Sequence, residues 1–223
     1  MWQFTSNHVQ HTERKEHAIS PDQLIFKAVD IADHRLYAVL FEPQHAQTLS
    51  RTWGTTGLNI SIRGAERLLK GIDAAVEVPY KVGDAVPKPT WTPEGPAHEQ
   101  LRQRLVDVFH HGAIDPGKVK CQAKDVFLYP SGMGGIFQSK NVVQEYLPGG
   151  TSVVLGITFL DTYRILHEES PGGFKHFGLV DEKAIDDFET WLEGGVKVTC
   201  VIVEIPGNPT IESSDLKRLK QLV

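Results

Sequence analysis

A parallel α/β sheet with helices on both faces is the fold class that the sequence predicts for its second half. Three short, nearly all-apolar runs carry that prediction: DVFLY (125–129), SVVLG (152–156) and TCVIVEI (199–205), alternating with amphipathic stretches of helical length. Strands without a polar face are those buried between two helix layers. A second observation is the stretch Val126 to Phe137, VFLYPSGMGGIF, which reads as a short buried strand entering a glycine-rich turn and then a helix. Open α/β folds build phosphate sites this way.

Taken in order, residues 1–20 are a polar arm. Leu24, Ile25, Ala28 and Val29 follow Ser20-Pro21 at helical spacing, so a helix is expected over Asp22 to Val29. LYAVLF (36–41) reads as a buried strand closed by Glu42-Pro43, and a helix over His45 to Trp53 is broken by Gly54 and Gly57. A further helix starts near Ser61, a cap residue whose helix end favours anions. Tyr80 to Pro96 is proline-rich, with Pro87, Pro89, Pro93 and Pro96, and reads as a linker or surface loop. The expected division is therefore an arm at 1–20, an N-terminal segment at 21–96 and a larger domain at 97–223. Within the last, helices are expected over 98–109, 132–147, 160–169, 181–193 and 213–222, with no internal repeat.

Composition narrows the function. The chain has 223 residues, 40% of them hydrophobic, enough for a core. Its 23 basic and 28 acidic residues give a net charge of −5, well mixed, so nothing favours nucleic acid or anionic lipid. No apolar run matches a secretion signal or a membrane span of about 20 residues. Cys121 and Cys200, each beside an apparent strand, read as buried thiols in a reducing compartment, which makes the cytoplasm the expected location. The His cluster at positions 8, 11 and 17 and the pair His110-His111 lack a metal-site pattern, so no metal is expected.

At the strand ends, spacing tests three readings of Ser131 to Gly135. A dinucleotide fingerprint needs a small third residue, and Phe137 stands there; the acidic residue expected after the next strand is replaced by Gly156-Ile157-Thr158. A hydrolase elbow needs glycine two places before the serine, where Tyr129 stands, and no Gly-Lys-Ser/Thr occurs. A plain phosphate cradle survives, made by the amides of Gly132 and Met133 beside the Ser131 hydroxyl. A tight turn that merely packs its helix on the sheet is the alternative.

These residues carry a resemblance. YPSGMGGIF is similar to the S-G-M-x-x-I phosphate loop of the pyridoxal-phosphate enzymes of cysteine and methionine metabolism, and VIVEIPGNP with Asp215-Leu216 resembles that family's E-x-P-x-N-P segment. Thr158 to Arg164 resembles its Y-G-G-T-Y-R stretch. LYAVLF and the ISxR-A-E element (Ile60 to Glu66) are similar to those of fungal cystathionine γ-synthase-like proteins, and the likeness covers residues 36–223. The resemblance implies the large domain of an aspartate aminotransferase-like, fold type I enzyme of methionine biosynthesis, binding pyridoxal 5′-phosphate. It would act on a small amino-acid substrate, joining an activated homoserine to cysteine by γ-replacement. By the same resemblance, Gly132 and Met133 offer amides to the cofactor phosphate with Ser131 beside them, and Phe159 lies on the pyridine ring. Asn208 then bonds the ring's phenolic oxygen. Arg63 corresponds to an arginine that reaches the phosphate in a neighbouring subunit, implying a homodimer or tetramer.

The departures are specific. Phe159 and Ser61 stand where the family mostly has tyrosines, and the family's aspartate for the pyridine nitrogen and its cofactor-bonding lysine fall beyond Val223. The expectation is thus the first part of such an enzyme, inactive by itself, with no catalytic residue assigned. Two alternatives remain: a non-catalytic truncated relative that retains phosphate affinity, and a nucleotide-binding α/β module, which Phe137 disfavours.

Overall fold

The computed structural model describes residues 19–81, 83–90 and 94–222. The arm with His8, His11 and His17 lies outside the described residues. The chain forms two compact units, and neither is one continuous stretch. Of the described residues, one contains 19–20, 44–58 and 131–222, and the other contains those of 21–43 and 59–130.

The first unit is organised around β4 (Thr151–Leu155), with β5 (Phe174–Phe177) and β6 (Val198–Val203) on either side, both parallel to it. Helices α1 (Ala46–Thr56), α4 (Gly132–Tyr146), α5 (Leu160–Glu168), α6 (Glu182–Glu193) and α7 (Leu216–Leu222) complete it. Alternation along β4 explains why the strand is apolar throughout. Val153 and Leu155 pack with Ile185, Phe188 and Leu219 of α6 and α7, while Val154 packs with Phe137, Ile165 and Leu166 of α4 and α5. Both faces are thus covered by helices, as the sequence predicts. Each such side chain withdrawn from water contributes about 1.5–3 kcal/mol. Helix α1 buries Thr52, Thr55 and Thr56 completely. Their hydroxyls donate to the carbonyls of Thr48, Arg51 and Thr52 at 2.8–3.0 Å, so none of the three hydroxyls is orphaned.

The second unit holds an antiparallel sheet, β2-β1-β3, built from β1 (Leu24–Ile31), β2 (His34–Phe41) and β3 (Val76–Val78), with helices α2 (Ile62–Leu69) and α3 (Pro96–Gly112). Here the expectation of a helix over Asp22 to Val29 fails. Leu24 pairs with Phe41 and Ile31 with His34 in one uninterrupted ladder closed by Ala32-Asp33. Helical spacing of four apolar residues is outweighed by the β-branched and aromatic content of the run and by a partner strand close in sequence. LYAVLF is a strand but not a buried one: Tyr37, Leu40 and Phe41 are exposed. The Pro-rich segment runs along β2. Arg35 grips Asp30 through Nε and Nη2 at 2.7 and 2.8 Å and donates from Nη1 to the Lys88 carbonyl, and the Tyr37 hydroxyl donates to the Pro87 carbonyl.

The largest correction concerns residues 125–129. They form no strand: a short 3-10 turn at Ala123–Asp125 leads into an irregular stretch in which Phe127 is 73% and Tyr129 42% exposed. In the parallel sheet β5 and β6 occupy both edges of β4. The Val126 carbonyl instead accepts from Arg102 Nε at 3.0 Å. Conversely, FKHF (174–177) forms the unpredicted β5, too short and polar to announce itself, and pairs Ser152 with Phe174 through Leu155 with Phe177. Among the described residues no helix is long and apolar enough to cross a membrane, and no group of three or more His, Cys, Asp or Glu is placed to hold a metal ion.

Candidate functional site

The start of α4 is where sequence chemistry and geometry meet. Ser131, in extended backbone, caps the helix: its Oγ accepts from Gly134 N at 3.0 Å, and its carbonyl accepts from Gly135 N at 3.1 Å. Among the described residues the amides of Gly132 and Met133 have no acceptor, which leaves two N–H groups at the positive end of a fifteen-residue helix. A Cβ added to Gly132 would meet nothing within 4 Å, so the backbone there lies open. Two free amides with unobstructed approach are a donor set suited to a phosphate.

Gly57 holds this turn in place, a role the sequence reading missed. It caps α1 in the left-handed region, with φ 60°, and donates to the Trp53 carbonyl. The Ser131 hydroxyl donates to the Gly57 carbonyl at 3.2 Å. A side chain here would place its Cβ 2.3 Å from Gly134 N and 2.4 Å from Ser131 Oγ. The available signal was a glycine just past a helix, which marks a cap. What it touches 74 residues later was not visible.

Two loops at the carboxyl ends of the parallel strands lie in the same unit. After β4 comes Phe159, the N-cap of α5, a residue 57% exposed. After β6 come Glu204 and then Asn208, whose side chain is exposed. The two loops are joined: Phe159 N–H donates to Glu204 Oε1 at 2.7 Å, and Gly207 sits close enough that an added Cβ would lie 3.8 Å from the Ile157 carbonyl oxygen. The starts of α4 and α5 are joined through the Thr162 hydroxyl, 3.8 Å from Met133 Sδ. Beside Phe159, the buried Thr158 Oγ1 has no partner among the described residues. Ser131, Gly132, Met133, Phe159 and Asn208 thus all lie at helix starts and strand ends of one unit. Arg63 belongs to the other unit, exposed on the first turn of α2.

The remaining titratable groups near this core are structural. Lys140 of α4 is buried against Glu169 at 3.3 Å, and loss of solvent pushes its ammonium below the usual lysine range. The Cys200 thiol on β6 is pushed up, chiefly by burial, and so stays protonated and poorly reactive. Cys121 and Cys200 are both free and only partly buried, less so than the sequence suggested.

No protein-family profile matches the chain, and no solved structure is significantly similar to it. Several curated fungal proteins are. An alanine racemase, ungC of Aspergillus violaceofuscus, is 30% identical over 205 residues, which is 84% of this chain and 34% of that protein. Cystathionine γ-synthase of Neurospora crassa is 33% identical over 111 residues, 48% of this chain and 18% of its own length. The cystathionine γ-synthase-like enzyme iboG2 of Amanita muscaria is 25% identical over 243 residues, 86% of this chain and 38% of its own. The match therefore spans little more than a third of these relatives at most. The phosphate-loop, aromatic and E-x-P-x-N-P motifs meet in one unit, and several of the relatives carry one name. Several fungal cystathionine γ-synthase and cystathionine γ-synthase-like proteins, 25–33% identical over about half to most of the chain, support a pyridoxal-phosphate-dependent trans-sulfuration family.

Proposed function

We propose that this chain contributes the phosphate-binding side of a cytoplasmic pyridoxal-phosphate enzyme that joins a γ-substituted homoserine to cysteine. The observation that carries the reading is the turn at Ser131: two free amides at a helix start, with open space over Gly132. When bound, pyridoxal phosphate supplies the electron sink that makes bonds to an amino acid's Cα labile.

The chain's own part is binding and orientation. The Gly132 and Met133 amides take the phosphate, helped by the helix dipole. Ser131 keeps them aimed, because its hydroxyl is committed to Gly57 and Gly134. Phe159 offers an exposed ring face for stacking, worth about 0.5–1.5 kcal/mol beyond buried area, and lacks the hydroxyl a tyrosine would add. Asn208 donates to the ring's phenolic oxygen. Arg63 serves the phosphate of a neighbouring subunit, so a homodimer or tetramer belongs to the reading. No lysine of the chain is assigned the covalent bond to the cofactor.

Titration of the protein with pyridoxal 5′-phosphate, followed by the cofactor's absorbance, tests the site. Gly132→Val is expected to weaken binding at least tenfold, and His11→Ala to leave it unchanged; equal affinities in the two variants overturn the assignment. Borohydride reduction followed by peptide mapping is expected to find no lysine adduct. Cystathionine formed from an O-acylated homoserine and cysteine, detected by mass spectrometry, tests the reaction. The 30% identity to an alanine racemase over 84% of the chain favours a second reading, racemisation of a small amino acid at the same site. Chiral chromatography of alanine after incubation decides between them, and cofactor binding with neither product supports a non-catalytic relative.

A further inference from the structure

The turn after β4 and the turn after β6 meet through one side chain. Glu204 Oε1 accepts the Phe159 N–H at 2.7 Å. Phe159 is the N-cap of α5, and its own carbonyl accepts from Tyr163 N at 3.1 Å. Its backbone is therefore fixed on both sides, while the residue is 57% exposed and its ring makes no aromatic contact among the described residues. Glu204 also belongs to the segment that presents Asn208 four residues later, a segment closed by Gly207 N to the Glu212 carbonyl at 2.8 Å and Ile211 N to the Gly207 carbonyl at 2.7 Å. The carboxylate thus fixes the ring-bearing loop relative to the loop that carries Asn208.

We infer that Glu204 is a positioning residue: by holding the Phe159 amide it sets the separation between an aromatic face and the Asn208 amide, which would meet a flat heteroaromatic ring on one face and at its polar edge. This rests on the pyridoxal-phosphate reading of the site. A carboxylate suits the task because a hydrogen bond to a charged acceptor is shorter and roughly twice as strong as a neutral one. The phosphate seat at Gly132 and Met133 lies on a different element and does not depend on Glu204.

The experiment compares the parent protein with Glu204→Leu, Glu204→Gln and Phe159→Leu. Without ligand, hydrogen exchange of the Phe159 amide is expected to quicken about tenfold or more in Glu204→Leu and to be largely restored in Glu204→Gln, which keeps an acceptor. With pyridoxal 5′-phosphate as probe, Glu204→Leu is expected to weaken binding about tenfold and to reduce the circular dichroism induced in the bound chromophore. Glu204→Gln rescues both. With inorganic phosphate as probe, neither variant should change affinity. Unchanged Phe159 exchange in Glu204→Leu overturns the clamp. So does equal loss of phosphate and pyridoxal-phosphate affinity, which would mark general damage. If exchange quickens but Phe159→Leu binds the cofactor like the parent, the cofactor reading is what fails, and the role of Glu204 in it falls too.

Discussion

Two helices of this chain begin in the same way, and only one of them leaves a bare approach to its first amides. Helix α2 starts Ser61-Ile62-Arg63-Gly64 and α4 starts Ser131-Gly132-Met133-Gly134; in each the serine Oγ accepts from the glycine amide three residues on, at 3.0 Å. Beyond the cap they diverge. At the first helical position α2 has Ile62, 80% exposed, where α4 has Gly132 with open space. The Ser61 hydroxyl has no second hydrogen bond among the described residues, whereas the Ser131 hydroxyl is pinned to the Gly57 carbonyl at 3.2 Å. A capped helix start is a common device for satisfying amides. A seat for an anion needs in addition a bare approach and an anchor from another element.

Gly57→Ala is the harshest way to break the comparison. Its Cβ would fall 2.3 Å from Gly134 N, on a backbone already at φ 60°, so the variant is expected to lose about 2–4 kcal/mol by denaturant unfolding. Pyridoxal-phosphate affinity should fall with it. Gly64→Ala, the matching change near α2, places its Cβ 3.2 Å from the flexible Ile60 side chain and Ser61 Oγ. It is expected to stay within about 1 kcal/mol of the parent, since alanine favours the helix by a similar amount. A Gly57→Ala protein as stable as the parent would mean that α1 does not anchor the turn.

Removing the caps separates the two starts less sharply. Ser131→Ala loses both the cap and the bond to Gly57 and is expected to cost about 1–2 kcal/mol; Ser61→Ala loses the cap alone and should cost about 0.5–1 kcal/mol. Equal costs would show that the Gly57 contact adds nothing. Gly132→Val, by contrast, should change stability by no more than about 0.5 kcal/mol, because its side chain enters open space, while it blocks ligand approach. Ile62→Val at the matching position of α2 should alter neither property.

How far these features were legible follows from the range of the interactions behind them. The helix start beside Ser131, the helix that follows it and the nearly all-apolar β4 and β6 were readable, because turn chemistry and apolar runs act within a few residues. The parallel sheet with both faces covered followed from the same runs. Residues 125–129 misled, since an apolar run makes a strand only when an edge is free to pair with it. Leu24 to Ile31 misled in the opposite sense, because four apolar residues at helical spacing also suit a strand whose partner follows a two-residue turn. At the candidate site, Gly132, Met133 and Phe159 were singled out by motif. The Gly57 anchor and the Glu204 to Phe159 bond span 74 and 45 residues, and no local signal announces them.

The bodies of the two helices differ too. Helix α2 keeps Arg63 and Arg67 exposed, whereas α4 buries Lys140, its side chain 2% exposed, against Glu169. Burial depresses the Lys140 ammonium below the ordinary value of 10.5, partly offset by Glu169. The unfolded chain therefore holds that proton more tightly than the folded one. Stability contributed through this group rises with pH across the window between the depressed folded value and about 10.5, and is flat below it, where both states are charged. Replacing the pair together, Lys140→Met with Glu169→Gln, leaves the Gln144 bond to the Glu169 main-chain carbonyl intact. At neutral pH the double variant is expected to lie within about 1 kcal/mol of the parent, since a buried ion pair is often no better than apolar packing of similar size. Its unfolding free energy should lack the alkaline rise. Parallel stability curves for parent and double variant between pH 8 and lysine's ordinary range would show that Lys140 titrates as a solvated side chain, and that α4 differs from α2 at its start alone.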